Sequence, residues 1–284
     1  MPAEQRKPLW LYPNLLSLDA PLVAVTWLYV FAKTWLGYLP WYAYGSLGIA
    51  VWAVYASDRL LDVAMKGGTS ELEARHRFHS DHRKAFSLGI GIALICGVAI
   101  VVSLMPLAIY IYLLLGGVLV AGFFGLSMLS SQDPGEVPHT KNILAGATFA
   151  FGTALTAHVF RFEYGIGELL GSREFLCFAV LCILNISAID LWEHAARSSD
   201  RETKASDELA LTLPLVLLAG VSLFHAAFDE RQNTRPFFCS ILTGSALLYI
   251  LNRNRSQYSM DALRVLADVA LIAPLLVFVA LSRS

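Results

Sequence analysis

Two aspartates, Asp58 and Asp62, stand four residues apart at the end of an apolar run that begins near Tyr44. On a helix this spacing puts both carboxylates on one face, one turn apart. A charge inside a membrane segment costs about 3 kcal/mol or more, so such acids usually serve a function. Two stacked carboxylates suit Mg²⁺, which typically joins one or two carboxylates to the phosphates of a substrate. The alternative is that Asp58 pairs with Arg59 or another basic group and closes the helix.

A second acidic cluster ends a later apolar run, with Asp190 and Glu193 followed by Arg197. At 100° per residue these three side chains lie within about 60° of one another on a helix. The sequence therefore predicts two acidic helix ends, encoded far apart, that serve one site if the chain brings them together.

Basic residues that suit a phosphate accompany the acids. The connection at residues 66–85 includes Arg75 and Arg77 and is predicted to hold a short helical lid. Arginine presents a fork of donors to phosphate oxygens, which favours a phosphate clamp. A basic loop on anionic lipid headgroups is an equally good interpretation. Asp19, just before Pro21, either caps the first long helix or lines the mouth of the site.

The composition identifies the elements that must position these residues. Of 284 residues, 56% are hydrophobic and only 15% are charged, whereas a soluble domain has about 25% charged residues. We therefore predict an all-α, polytopic transmembrane helical bundle. The net charge of −1 gives no field that would attract nucleic acid. The four cysteines lie in apolar runs without a C-x-x-C pair, which favours buried thiols over a zinc site.

Apolar segments of about 20 residues, the length that crosses a bilayer, recur along the whole chain. We predict one membrane-embedded domain over residues 1–284, with a cytoplasmic N-terminal segment at 1–14 and a cytoplasmic lid loop at 66–85. The nine predicted spans cover residues 15–39, 44–65, 86–105, 107–130, 142–160, 174–195, 209–228, 236–252 and 262–281.

Lysine and arginine concentrate in the N-terminal segment and in the connections that share its side of the membrane. The positive-inside rule then places the N-terminus in the cytoplasm of a cell whose plasma (inner) membrane holds the protein. With nine spans the C-terminus lies outside. The second and sixth spans both end at the cytoplasmic face, so both acidic clusters open to the cytoplasm. Metal and basic groups there would bind a diphosphate, and the apolar, aromatic interior would hold its hydrocarbon tail.

This pattern resembles the UbiA superfamily of intramembrane prenyltransferases. The family's first motif, N-x-x-x-D-x-x-x-D, is matched in its second half by Asp58–Asp62, with Val54 at the asparagine position. The second motif is similar to Asp190–Glu193, with glutamate in place of aspartate. Arg197 occupies a position at which the family often has a further acid. Lys204 corresponds to a lysine that follows this motif in the family.

The stretch 138–142 also resembles the family, in which a lysine precedes a helix that bears glycines. Here that lysine is Lys141, and Gly146 and Gly152 follow it. The resemblance implies a nine-helix bundle that uses Mg²⁺ and transfers a prenyl group from a prenyl diphosphate to an aromatic or other lipophilic acceptor. It implies that the metal ligands and catalytic residues are Asp58, Asp62, Asp190 and Glu193, and that the pyrophosphate is held by Arg59, Arg75, Arg77, Lys141 and Lys204.

Three other functions remain open from the sequence. A terpene cyclase of the same superfamily would ionise the same diphosphate and let the cation close on itself. A non-catalytic membrane protein that binds or transports lipid would keep the fold, and Val54 and Arg197 favour it. An ion-coupled carrier would also use intramembrane acids, but carriers usually place their sites near the midplane between paired repeats, and no clear repeat is present.

Overall fold

The computed structural model describes residues 8–65, 74–129, 139–162, 164–229 and 232–283, and within these residues it contains helices and no strand. Short 3₁₀ turns at Leu9–Leu11, Gln232–Thr234 and Arg255–Gln257 separate some of the α-helices. The α-helices are α1 Tyr12–Leu15, α2 Asp19–Trp35, α3 Trp41–Met65, α4 Ala74–Asp81, α5 Arg83–Leu104, α6 Ile109–Leu129, α7 His139–His158, α8 Ile166–Leu170, α9 Arg173–Arg197, α10 Arg201–Phe228, α11 Arg235–Arg253, α12 Met260–Ile272 and α13 Pro274–Ser282.

Long helices lie at all nine segments in which spans are predicted, with α12 and α13 sharing the last segment. Among the described residues, five helical stretches are long and apolar enough to cross a membrane. Their bounds are Arg83–Leu104, Ile109–Met128, Arg173–Arg197, Arg201–Phe228 and Met260–Ser282. The pair Leu9–Leu15 and Asp19–Trp35, bent by 83°, would make a sixth. The all-helical fold is therefore confirmed for the described residues, the long apolar helices are compatible with a membrane protein, and the count of nine spans stays a prediction.

Three pairs of neighbouring long helices run in opposite directions, as their contacts show. At one end of the bundle the start of α2 lies beside the end of α3, where Asp19 and Arg59 form an ion pair. The start of α7 lies beside the end of α9, where Asn142 bonds to Asp190. His194, near the end of α9, bonds to Asp207 near the start of α10. The same end of the bundle therefore collects the ends of α3 and α9 and the starts of α2, α7 and α10.

The apolar core lies farther along the helices, away from this polar end. Trp27 and Phe31 of α2 pack on Phe178 of α9, with ring centroids 4.6 and 5.4 Å apart. Phe237 of α11 closes the cluster at 5.0 Å from Phe31. The Trp27 indole donates to the Leu271 carbonyl at 2.9 Å, which satisfies its buried polar group. These aromatic side chains fix how α2, α9 and α11 pack around one interior.

Helices α5 and α6 expose almost their whole apolar surface. Only 6% of the most apolar window of each is buried. They contact the rest of the bundle along single edges, such as the stacked rings of Trp52 and Phe86. An apolar surface of this size in a single chain marks contact with lipid or protein, and its extent over two long helices agrees with a membrane protein.

The crossing of α7 and α9 depends on Gly146. A Cβ atom at this position would lie 2.6 Å from the backbone N and Cα of Ile183, so an alanine requires one helix to move. We expect Gly146→Ala to destabilise the protein by about 1–3 kcal/mol, the usual cost of overpacking. Thermal unfolding of the purified protein in detergent, followed by circular dichroism, measures this cost.

Gly152, two turns farther along α7, is the matched control, because no described atom lies within 4 Å of its added Cβ. We expect Gly152→Ala to keep or raise the stability, by up to about 1 kcal/mol, since alanine favours the helix. Equal effects of the two substitutions would contradict the close crossing of α7 and α9.

Candidate functional site

The acids of α3 lie at the polar end of the bundle, where both are partly exposed. Asp58 and Asp62 are both half-buried on one face of the helix. The Ser127 hydroxyl of α6 donates to Asp58 at 3.5 Å. Because α3 is helical through both positions, the two carboxylates lie on one face, as the sequence predicts. The hydrogen bond from Ser127 shows that this face lies against α6.

The acids of α9 differ in their surroundings. Asp190 is half-buried and accepts a hydrogen bond of 2.8 Å from the Asn142 amide of α7. Glu193 bonds through one oxygen to Arg264 of α12 at 2.6 Å and through the other to Arg197 at 3.2 Å. Glu193 is therefore neutralised by two guanidinium groups, and Asp190 is held by the Asn142 amide.

A deeper polar layer joins α2, α3, α9 and α12. The Asp19 carboxylate lies 3.5 Å from the Arg59 guanidinium and accepts from the Asn14 amide at 2.6 Å. Asp268 of α12 lies near the side chains of Asp19, Arg59 and Asn185. Asp268 lies one turn farther along α12 than Arg264, and Asn185 lies about two turns from Glu193 on α9. This layer is therefore about 6–12 Å deeper in the bundle than the Glu193–Arg264 pair.

These contacts close into a ring of six helices, which we call the polar ring. Going around it, α3 contacts α2, α2 contacts α12, α12 contacts α9, α9 contacts α7, α7 contacts α6, and α6 returns to α3. The linking pairs are Arg59–Asp19, Asp19–Asp268, Arg264–Glu193, Asn142–Asp190, Lys141–Phe123 and Ser127–Asp58. The two acidic clusters predicted from the sequence thus lie on helices of one ring, at the same end of the bundle.

Asp19 does not act as the helix cap that one interpretation of the sequence predicted. The cap position of α2 is Leu18, which makes no side-chain cap bond. The Asp19 carboxylate accepts instead from the backbone N–H of Ala20 and from Asn14, and pairs with Arg59. Ion pairing inside the bundle outweighs capping because Arg59 is buried and needs a counter-charge.

The basic residues predicted to hold the pyrophosphate differ in how far their side chains are buried. Arg59 is buried, donates to the Asn14 carbonyl and packs on the Tyr55 ring at 4.4 Å, so its partners differ from the predicted pyrophosphate. Lys141 is half-buried, with its ammonium 5.6 Å from the Phe123 ring centre. Arg77 on α4 and Lys204 on α10 are exposed. The side chain of Arg75 lies outside the described part of the chain.

The start of α10, where Lys204 lies, is capped by Asp200. The Thr203 hydroxyl and the backbone N–H groups of Thr203 and Glu202 donate to the Asp200 carboxylate, and these bonds hold its pKa below the usual range. Because this pKa is depressed, the stabilisation is present above the pKa of the unfolded chain and is lost as the pH falls through the folded value. This cap fixes where α10 begins relative to α9.

The short helix predicted within the lid loop is present as α4. Its His79 is buried, bonds to the Ser17 hydroxyl at 3.0 Å and stacks on Phe86 with ring centroids 4.1 Å apart. Ser17 lies in the turn before α2 and has a positive φ of 57°. Helix α4 is therefore anchored at the corner next to Asp19. The first part of the predicted lid loop, residues 66–73, lies outside the described residues.

The carboxylate set fits Mg²⁺ in one respect and departs from the prediction in another. Asp58 and Asp62 form a half-buried pair with i, i+4 spacing, which matches the one or two protein carboxylates that Mg²⁺ uses beside substrate phosphates. Within residues 8–65, 74–129, 139–162, 164–229 and 232–283, no group of three or more His, Cys, Asp or Glu is placed to hold a metal ion. Neither the predicted set of four acids nor a set of three that joins Asp190 to the α3 pair is therefore formed in this conformation.

Sequence reasoning missed the deeper layer. Asp268 and Arg264 both lie within the last apolar segment, where an acid and a base one turn apart were a readable signal of a polar site. Asn142 and Asn185 carry no such signal, because an amide inside a helix does not reveal which neighbour it contacts. Their roles emerge only from the packing of α7 and α12 against α9.

No family model, no curated protein and no solved structure matches this chain.

Proposed function

We propose that this protein is a UbiA-like intramembrane prenyltransferase that transfers a prenyl group from a prenyl diphosphate to an aromatic or other lipophilic acceptor. The observation that supports the proposal is the polar ring, which connects the α3 acids and the α9 acids at one end of an apolar helical bundle. The proposal places the protein in the plasma (inner) membrane with nine spans. Its N-terminus lies in the cytoplasm, and its site opens to the cytoplasm.

In this proposal the diphosphate binds at the polar ring, and the prenyl tail lies in the apolar part of the bundle. Asp58 and Asp62 would hold Mg²⁺, which neutralises the charge of the diphosphate leaving group, and Asp190 on α9 would assist them. Lys141, half-buried beside Phe123, would bind pyrophosphate oxygens, assisted by Arg75 and Arg77 from α4. The prenyl tail would lie along the aromatic core below the ring, where a water-poor environment protects the allylic cation.

Glu193 and Arg264 have a different part in this proposal. Because two guanidinium groups hold Glu193, its role is to fix α9 against α12 rather than to bind metal directly. Arg264 is buried, and its ion pair orients the acidic end of α9. Lys204, exposed on α10, would reach the diphosphate only after a movement of the α9–α10 connection.

A second candidate function is non-catalytic binding of an isoprenoid or another lipid. The pairing of Glu193 with two arginines favours it, because a transferase with a full second acidic motif would leave that carboxylate available. A terpene cyclase shares the whole site with the transferase and differs only in needing no acceptor.

Turnover of labelled prenyl diphosphates by the purified protein distinguishes these functions. With Mg²⁺ and a mixture of aromatic acceptors we expect a prenylated product, and we expect chelation of divalent cations by EDTA to abolish its formation. A hydrocarbon or terpene alcohol formed without acceptor would identify a cyclase. Saturable binding of the diphosphate with no chemical conversion at any chain length would support the non-catalytic function.

A further inference from the structure

The first described segment of the chain, residues 8–18, turns sharply where it meets α2. The helical stretch Leu9–Leu15 is bent by 83° from Asp19–Trp35. A segment at nearly a right angle to a helix that crosses a bilayer runs along the bilayer surface. The turn lies at the polar end of the bundle, where Asp19 pairs with Arg59. The segment therefore lies where the apolar part of the bundle ends, which is the depth of a membrane boundary.

The outward face of this segment is apolar and aromatic. Leu9, Trp10 and Tyr12 are 86, 48 and 40% exposed, and Leu16 and Leu18 are exposed as well. Residues 8–18 include no charged side chain. A surface in water rarely presents so continuous an apolar patch, whereas tryptophan and tyrosine are enriched at the boundary between membrane and water. The composition of this face therefore favours lipid over water.

Polar groups of the segment point into the protein instead. The indole of Trp52 on α3 donates to the Leu16 carbonyl at 3.0 Å. The buried Ser17 hydroxyl bonds to the His79 ring of α4, also at 3.0 Å. The Leu15 side chain is fully buried on the same side. These contacts with α3 and α4 fix the orientation of the segment, so its apolar face is held outward.

Basic side chains stand next to the apolar face. Arg83 and Lys84 begin α5 and are exposed. Phe86, in the first turn of α5, stacks on His79, so this end of α5 lies at the same corner as the segment. An arginine and a lysine at positions 6 and 7 also precede the segment in the sequence. Basic residues beside an apolar, aromatic face are typical of segments that lie on anionic lipid surfaces.

We propose that residues 8–18 form an N-terminal platform that lies in the membrane boundary at the polar end of the bundle. Its apolar face enters the outer part of the acyl layer, and Arg83 and Lys84 contact the phosphates of anionic lipids. The partner is thus a bilayer of anionic phospholipid. The inference rests on the part of the proposed function that places the bundle in a membrane and is independent of prenyl transfer. It places residues 8–14 in the boundary, whereas the sequence predicts them in the cytoplasm.

Spin labels measure the depth of the platform. Cysteine replaces Leu9 or Tyr12 in a Cys96→Ser chain, which lacks the exposed native thiol, and the labelled protein is placed in nanodiscs that contain phosphatidylglycerol. The Cys96→Ser chain alone gives the background labelling. We expect both labels to be more accessible to oxygen than to a water-soluble nickel chelate, at a depth of about 5–10 Å. A label at Ser199→Cys, in the exposed connection between α9 and α10 at the same end, should show the opposite preference.

A label on native Cys96, exposed on α5, gives the reference for the membrane itself. Water-like accessibility at Leu9→Cys and Tyr12→Cys would overturn the platform. Labels shielded from both reagents would also overturn it, because a second copy or another protein would then cover the face. A water-like label at Cys96 would count against the membrane spans of the proposed function, so the two failures are distinguishable.

Thermal unfolding in nanodiscs tests the contact with headgroups. We expect a midpoint about 2–4 °C higher in phosphatidylglycerol than in phosphatidylcholine. The difference should shrink in about 1 M salt and vanish when Arg83→Gln and Lys84→Gln are combined. It should persist in Arg201→Gln, which removes an exposed base at the start of α10, at the same end of the bundle. Equal midpoints in the two lipids, or a difference that survives the double change, would overturn the contact of these residues with lipid.

Discussion

Asparagine in place of Asp58 is expected to lower the rate of prenyl transfer by about 1,000-fold. The substitution keeps the shape of the side chain and its contact with Ser127 but removes the negative charge that would hold Mg²⁺ and, through it, the diphosphate. Initial rates with a labelled prenyl diphosphate, at saturating Mg²⁺, measure the loss. Asp62→Asn should have a similar effect, because the two carboxylates lie on one face of α3.

Glu168→Gln is the control for this experiment, since Glu168 is an exposed acid on α8, after the far end of α7. Its rate should stay at that of the unsubstituted protein. Both aspartate variants should retain the helix content and the thermal stability of the parent, because half-buried carboxylates next to a metal site gain little from their charge when the metal is absent. Undiminished turnover by Asp58→Asn would show that the α3 acids do not bind the metal.

Alanine in place of Arg59 is expected to destabilise the fold by about 3–5 kcal/mol, the usual cost of removing one partner of a buried ion pair. Arg59 is almost fully buried and links Asp19, the Asn14 carbonyl and the Tyr55 ring. Its removal leaves the Asp19 charge unpaired in the bundle. Thermal or denaturant unfolding in detergent, compared between variant and parent, gives the difference in the free energy of unfolding.

Arg253→Ala provides the matched comparison. Arg253 is exposed and pairs with Glu208, which keeps a second partner in Arg255. An exposed pair contributes about 0–1 kcal/mol, so this variant should unfold nearly like the parent. The double variant Arg59→Met with Asp19→Asn should recover part of the lost stability, because it removes both charges. A loss in Arg59→Ala no larger than that in Arg253→Ala would show that Arg59 is not a buried structural cation, and would favour its predicted role at the pyrophosphate.

Much of the fold could be predicted from hydropathy, because apolar runs of bilayer length define helices without reference to their neighbours. The helices α5 and α6 are the clearest cases, and the break between them at Met105 follows from Pro106. Polar helices were harder to place in the membrane. Helix α3 carries Asp58, Arg59 and Asp62, so its composition alone does not qualify it as a membrane span.

The site was predictable only where spacing along one helix decides the outcome. Asp58 and Asp62 share a face because they are four residues apart, whatever the tertiary structure. The partners of Arg59 and Glu193 depend on which helices pack together, and no local pattern contains that information. Both residues were assigned to substrate or metal from the sequence, whereas α2 and α12 supply them with internal counter-charges.

The central claim is that acids of α3 and α9 act in one site. Binding of inorganic pyrophosphate with Mg²⁺ to the protein in nanodiscs, measured by isothermal titration calorimetry, tests it most directly through Asp62→Asn, Asp190→Asn and the double variant. We expect each single change to weaken binding about tenfold, and the double change to weaken it by clearly less than the product, because both side chains serve the same ligand. Strictly multiplicative losses, or a loss confined to one helix, would contradict a shared site.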